Sequence, residues 1–296
     1  MTGATGFIGT NLNHFLNKKV FNIFKLDLRN STSIKIALDI DVVVHLAGKA
    51  HDLKKISNSN EYFQVNTELT KTVFDAFLDS KAKVFITLSS VKAVADELKY
   101  ELTEEFFPNP ISHYGKSKFL AEQYILSKII PKGKRVYILR PSMIHGPGNK
   151  GNLNLLYKIV SKGLPWPLGR FENKRSFCSI DNLCFIINEL IENEQIPSGV
   201  YNIADDIPLS TNELINLISE SQNKNPHIWN VPKFLINALA KIGDVLKLPL
   251  NSERLVKLTE SYTVSNCKIK NAINKPLPLS SREGLTKTLN SFKIDA

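Results

Sequence analysis

Five short runs of the chain carry almost nothing but apolar residues: 20–26 (VFNIFKL), 42–48 (VVVHLAG), 83–90 (KVFITLSS), 135–141 (RVYILRP) and 199–204 (GVYNIA). A strand with one wet face alternates polar and apolar residues, whereas a near-continuous apolar run needs cover on both faces. Between the runs lie stretches of helical spacing, at 31–38, at 61–80 with Phe63, Leu69, Val73, Phe74 and Phe77 on one side, and at 114–129. Strand and helix alternate through the first half, which predicts an α/β chain built on a mostly parallel sheet.

From about Pro147 the texture changes to GNKGNLNLLYKIVSKGLPWPLG, and after 205 to short helices broken by Pro and Asn. A second, smaller lobe is expected, made of 148–175 and 205–296, with the sheet unit spanning 1–147 and 176–204. With 296 residues, 43% hydrophobic and 22% charged, the chain has ample material for a buried core, and global disorder is excluded. The net charge of +10 is compatible with nucleic acid, an anionic membrane surface or a small anionic substrate. Its lysines are scattered and no recognition motif accompanies them, so a solvated surface and no nucleic-acid partner are expected. No run of 18 uncharged apolar residues occurs and MTGATGFIGTNLNHF has no basic leader, from which a cytoplasmic chain without an integral membrane segment is expected. Three cysteines without C-x-x-C argue against a disulfide framework, and the six histidines show no zinc spacing, so no metal is expected.

Gly3, Gly6 and Gly9 in TGATGFIG precede a predicted helix from about Ile8 to Leu16. Glycines there let backbone approach a pyrophosphate, and the helix N-terminus adds aligned N–H groups and positive dipole. Three glycines also make a plain turn. Asp27 ends the next apolar run 18 residues past Gly9, where an acid of a dinucleotide fold holds ribose hydroxyls; capping a turn is its other reading. Together they point to a Rossmann-type, doubly wound sheet. In such a sheet the glycine loop follows a central strand, yet only Met1 and Thr2 precede Gly3. The first strand therefore reads as truncated, from a start placed too late or a trimmed chain.

Tyr114 and Lys118 form Y-x-x-x-K, which puts both on one helix face. A free phenol, with a pKa of about 10, is a poor base at neutral pH; a lysine ammonium alongside favours the phenolate. Ser89 and Ser90 end the run KVFITLSS, at the sheet edge where ligands of α/β folds bind, and a serine there can share the substrate oxygen with the tyrosine.

TGATGFIG, DVVVHLAG, the SS strand end, YGKSKFLAE, RPSMIHGPG and VYNIADD together resemble the extended short-chain dehydrogenase/reductases of the NAD-dependent epimerase/dehydratase type, over nearly the whole chain. Within that family HLAGKAH, SSVK, GPGNKGN, KGLPWPLG and NKRS are most similar to enzymes that reduce a UDP-4-keto-6-deoxy-N-acetylhexosamine or epimerise UDP-sugars at C4. The resemblance implies Tyr114 as acid/base on the sugar O4, Lys118 as its electrostatic partner and ribose ligand, and Ser90 as a second O4 contact. It implies NAD, with NADP possible, held by Gly3, Gly6, Phe7, Ile8, Gly9, Asp27, Leu28, Leu46, Ala47, Gly48, Asn66, Tyr114 and Lys118. For a UDP-sugar it implies Asn152, Leu153, the stretch from Trp166 to Leu168, Arg175 and Arg254, arginine suiting a diphosphate through its two-pronged fork.

Two departures from the pattern matter. Only one helix and one strand are predicted between Gly9 and Asp41, where many members have two such units, so Asp27 could lie beside adenine and Arg29 could meet a 2′-phosphate. Val91-Lys92 stands where 4,6-dehydratases carry Asp-Glu, which excludes that proton transfer. His45 reads as a satisfied core histidine, while His51 and His145 lie past strand ends, where substrate contact and an ordinary loop role are both open. The basic amphipathic stretch 232–248 is expected to pack on the second lobe, with an anionic membrane as its other reading. Cys178 has no base beside it in the pattern. The helices at 61–80 and 114–129 carry long apolar faces, and extended members often dimerise through two such helices, so a homodimer is expected. A dinucleotide sensor without catalysis is the reading of another class, opposed by intact Ser90, Tyr114 and Lys118.

Overall fold

The computed structural model of the chain describes residues 1–19, 21–28, 34–49, 59–149, 151–246 and 251–292, the side chain of Asn152 excepted. Helix α1 (Phe7–Leu16) follows the glycine loop, and strand β1 (Val42–His45) precedes α2 (Ser59–Tyr62), a π-helical segment (Phe63–Glu68) and α3 (Leu69–Asp79). Then come β2 (Val84–Leu88), a 3₁₀ turn (Val91–Ala93), α4 (His113–Leu126), β3 (Arg135–Pro141), β4 (Met143–His145) and α5 (Asn152–Ser161). The remainder is β5 (Phe177–Ser179), α6 (Ile180–Glu192), β6 (Gly199–Ile203), α7 (Thr211–Ser221), α8 (Lys233–Leu246), α9 (Ser252–Thr259), α10 (Cys267–Ile273) and α11 (Ser281–Ser291).

The main sheet runs β1-β2-β3-β6 with every pair parallel, so four of the five apolar runs hold strands where expected. Alternate residues feed opposite faces. Val44, Ile86, Leu88 and Leu139 pack with Leu12 and Leu16 of α1 and Ile186, Ile187 and Leu190 of α6. Val43, Phe85, Val136 and Ile138 pack with Val73, Phe74 and Phe77 of α3 and Ile125 of α4. Both faces are covered, which is why these strands read as continuous apolar runs. The π segment was not foreseen: it divides the helix expected over 61–80.

The first run behaves differently. Residues 21–25 belong to no strand, and Leu26 makes one parallel bridge to Thr2, which bridges His45 of β1 on its other side. In that lane the Met1 ammonium donates to the Phe24 carbonyl at 2.7 Å and the Leu26 amide to the Met1 carbonyl at 2.9 Å. A groove of about 660 Å³ opens beside it, lined by Met1, Phe21, Ile23, Val42, Val84 and Ile191 among others. Of the helix expected at 31–38, residues 31–33 lie outside the described residues and 34–37 are not helical. Ile34 and Ile36 lean instead on the Val43–Phe85 face, a period of two that extended chain satisfies and helix does not.

A second body of packing joins Leu153 and Tyr157 of α5, Leu214 and Ile218 of α7 and Leu285 and Leu289 of α11. A third gathers Trp166, Leu168, Ile215, Ile236, Ala240 and Leu255. We propose on these clusters the two-unit division 1–147 with 176–204 and 148–175 with 205–296, in which α10 is the part of the second unit that returns to the sheet through Ile269 and Ile273.

Candidate active site

The carboxyl ends of Thr2's lane, β1 and β2 meet where chain connections depart in opposite directions, the position at which open α/β sheets bind ligands. Gly3 has φ +63°, and a Cβ there would lie 2.6 Å from both the Ala47 nitrogen and the Leu46 carbonyl carbon. At Gly9 an added Cβ would lie 2.3 Å from the Gly3 oxygen. The loop is thus pressed onto the end of β1 to a depth only glycine permits. Helix α1 starts at Phe7 with Gly6 as its N-cap and no capping side chain, so its first-turn amides face the loop mouth. This is a fitting cradle for a dinucleotide's diphosphate. Asp27, exposed, follows the Leu26 bridge one lane away; Leu28 packs toward the α3 face. Arg29 and His51 fall outside the described residues.

Helix α4 brings the reactive pair. Ser112 caps it by accepting from the Gly115 amide, and Asp96 accepts from the Ile111 and Ser112 amides at 2.7 and 2.9 Å, which fixes where the helix starts. Lys118 is buried, and its ammonium donates to the Leu88 carbonyl at the end of β2, at 2.8 Å. A Cβ on Gly48 would sit 3.1 Å from the Lys118 nitrogen and 3.2 Å from Asn66 Oδ1. Asn66, fully buried in the π segment, accepts from the Lys49 amide at 2.8 Å and donates to Ser117 Oγ at 3.0 Å. It ties the β1 exit to α4. Tyr114 shares a hydrogen bond with Ser90, and its half-buried ring meets Tyr62 edge-on at 6.1 Å. The 3₁₀ turn after Ser90 is held by the Lys92 amide donating to Ser90 Oγ at 3.2 Å.

Burial dominates the titration of this pair. It lowers Lys118 to about 8, against the opposing pull of Glu122, and raises the Tyr114 phenol, whose hydroxyl end is the enclosed part, with the Ser90 hydrogen bond acting the other way. The expected lowering of Tyr114 by Lys118 is therefore not what the protein alone provides. Desolvation outweighs the Ser90 hydrogen bond, Tyr62 adds to it, and the phenol is held protonated. Burial likewise takes His45 from 6.5 down to about 3, with the charges of Lys118 and the N-terminus assisting. Its ring sits between Thr2 Oγ1 at 2.8 Å and Thr70 Oγ1 at 3.0 Å, the satisfied core histidine that was expected. His145 is buried too, 2.8 Å from Thr288 Oγ1, so of its two readings the structural one holds. Cys178 is wholly buried and its thiol is raised well above its ordinary value.

Gly3, Leu46, Ala47, Gly48, Asn66, Ser90, Tyr114 and Lys118 are thus brought into one neighbourhood. The residues expected to hold a nucleotide sugar are spread more widely. Leu153 is in the α5–α7 cluster, while Trp166 and Leu168 form the α8–α9 cluster and bridge Ile228 and Asn230. The Arg175 guanidinium, paired with Glu260 at 3.6 Å and donating to the Glu260 and Lys257 carbonyls, reaches the Lys92 side of the site. Arg254 is exposed on α9, and the side chain of Asn152 lies outside the description. Sequence reasoning missed Glu122, which receives Arg140 of β3 in a buried two-pronged pair at 3.0 and 3.1 Å from Nε. The signal was present: Glu122 stands four residues after Lys118, on the same helix face. Among the described residues no group of His, Cys, Asp and Glu is placed to hold a metal, and no helix is long and apolar enough to cross a membrane.

The model of the NAD dependent epimerase/dehydratase family matches residues 1–204. A UDP-glucose 4-epimerase of Vibrio cholerae is 30% identical over 315 residues, covering 99% of this chain and 94% of that protein. An N-acetyl-alpha-D-glucosaminyl-diphospho-ditrans,octacis-undecaprenol 4-epimerase of Escherichia coli O157:H7 is 29% identical over 316 residues, covering 98% of this chain and 93% of the other. Among solved structures, MoeE5 in complex with UDP-glucose and NAD superposes with a TM-score of 0.75 at 20% identity, covering 99% of this chain and 98% of that one.

Proposed function

Because the chain belongs to the NAD dependent epimerase/dehydratase family and is an NAD-dependent enzyme of the nucleotide-sugar type, we propose that it transfers hydride at C4 of a hexose carried on a diphosphate. The observation that carries this reading is the enclosed Ser90–Tyr114–Lys118 group set against Gly48 at the end of the cofactor cradle. NAD, when bound, would supply the hydride chemistry at C4. Tyr114 moves the O4 proton, Ser90 holds the same oxygen through its hydroxyl, and Lys118, fixed by the Leu88 carbonyl, sets the charge beside the phenol. Gly3, Gly6, Phe7, Ile8 and Gly9 would cradle the diphosphate of the cofactor, with Asp27 and Leu28 on its adenosine side. Asn152, Leu153, Trp166, Leu168, Arg175 and Arg254 are the proposed nucleotide-sugar positions; Arg175 reaches a diphosphate only by giving up part of its present bonding to Glu260 and Lys257.

Reversible 4-epimerisation is the reading supported by two relatives that this chain covers over more than nine-tenths of their length. Reduction of a UDP-4-keto-6-deoxy-N-acetylhexosamine is the second, supported by the likeness of HLAGKAH, SSVK and GPGNKGN to the 4-keto reductases; a protonated Tyr114 would act there as the acid that a ketone needs. Purified protein incubated with UDP-hexoses and 4-keto sugars, while nicotinamide absorbance is followed, separates them. Interconversion of two sugars with NAD retained through gel filtration supports epimerisation, stoichiometric oxidation of NADH or NADPH supports reduction, and neither with any sugar removes the C4 assignment.

A further inference from the structure

Helix α8 uses only a narrow face to pack on its lobe. Ile236, Ala240 and Gly243 are buried, Ile236 and Ala240 beside Trp166, Leu168 and Leu255. The rest of the helix is almost as apolar and faces out: Phe234 is 70% exposed, Leu235 44%, Leu239 54%, Ile242 49%, Val245 80% and Leu246 63%. On α9 Val256 and Leu258 are also exposed, on either side of the buried Leu255, and Trp229, 58% exposed, stands four residues ahead of α8. Six exposed large apolar side chains on a 14-residue helix are far beyond the scattered ones of an ordinary surface. The charges around them are mainly positive. Lys257 and Glu253 pair with each other and Asp244 accepts from Ser252, so Lys233 and Lys241 of α8 supply the positive charge of the face.

From this face we infer that α8 with α9 seats the enzyme on an anionic lipid surface, apolar side chains entering the headgroup boundary and the lysines meeting phosphate. Apolar area together with cationic flanks is the combination that binds an interfacial helix to acidic lipid, and an aromatic residue at the rim suits the same depth. A second copy fits less well, because a two-fold contact through this patch would set its cationic flanks against themselves. The same cluster carries Trp166 and Leu168, so the surface that meets lipid is the outer side of the proposed nucleotide-sugar lobe. The inference does not depend on chemistry at C4.

The test is co-sedimentation of the full chain with vesicles of phosphatidylglycerol and phosphatidylcholine in equal parts, or of phosphatidylcholine alone, with tryptophan emission followed in parallel; of the two tryptophans Trp166 is buried, so a shift reports on Trp229. Binding to the acidic vesicles with a blue shift is expected. Leu239→Glu with Ile242→Glu should weaken it about tenfold or more, and Lys233→Gln with Lys241→Gln should weaken it in a salt-dependent way, with turnover unchanged in both. Should the glutamate pair fail to fold, the lysine pair and the wild-type emission decide. Absence of binding and of the blue shift, or binding to which both variants are indifferent, overturns the inference. So does a smaller light-scattering mass in the glutamate variant, which would assign the face to pairing of copies.

Discussion

At the scale of single residues, Tyr114 and His45 show how burial selects protonation. Tyr114→Phe keeps the ring and removes the proton, so turnover should fall by about 10²–10⁴-fold with the melting temperature little changed. Turnover within a few-fold of wild type would remove Tyr114 from the chemistry. His45 is buried neutral beside Thr2 and Thr70, with its pKa lowered to about 3 while the unfolded chain titrates at 6.5. Between those values the unfolded state binds the extra proton. The contribution is therefore fully present above pH 6.5 and is lost as pH falls toward 3, about 5 kcal/mol at the acid end. His45→Gln should be less stable at pH 7 yet show a shallower loss across that window in urea titrations. Parallel pH profiles for the two proteins would contradict this.

At the scale of elements, the reactive helix is held by a pair that does no chemistry. Glu122 and Arg140, with side chains 2% and 5% exposed, join α4 to β3 one turn beyond Lys118. Removing one partner leaves the other charge buried, so Glu122→Ala should cost roughly 3–5 kcal/mol, read as a drop in the urea midpoint. As a positioning residue Glu122 should also shift the pH profile of turnover, because its charge holds the Lys118 pKa up. A loss of stability with an unchanged profile would assign it to packing alone. The π segment is the element that no pattern announced. Apolar spacing at Phe63, Leu69 and Val73 reads as one helix, and the widened turn becomes legible only when Asn66 is seen bonding to Lys49 and Ser117.

At the scale of the molecule, the groove beside Thr2 and the unpaired sides of the helix layers carry consequences. Adding about five apolar β-formers ahead of Met1 would fill the lane between β1 and residues 21–26 and move the half-buried ammonium out of it. Each side chain taken fully into the groove adds about 1.5–3 kcal/mol of burial, more than its ordering removes, so the melting temperature should rise by several degrees. No rise would mean that the lane does not accept a strand. We propose a homodimer through α3 and α4, on which Leu120 and Leu126 stay exposed; light scattering at working concentration should give twice the 33.3 kDa chain mass. A monomer mass would exclude it.

Period and local chemistry were enough for the sheet and the reactive trio. Continuous apolar runs require cover on both faces, glycines three apart require close backbone approach, and Tyr114 and Lys118 four apart must share a helix face; none of these needs a distant residue to be known. What tertiary structure alone decided were the quantities that depend on neighbours brought from elsewhere in the chain. The run at 20–26 has strand composition, yet residues 21–25 stay off the ladder and Leu26 makes only a bridge to Thr2, because a strand exists only where a partner lane offers hydrogen bonds. The phenol pKa moved up instead of down because burial of Tyr114 outweighs the hydrogen bond from Ser90, with Tyr62 acting in the same direction as burial. Helix α8 packs on its lobe as its pattern implied, but how little of its apolar face that contact covers depends on the shape of the surface beneath it, which no local pattern encodes.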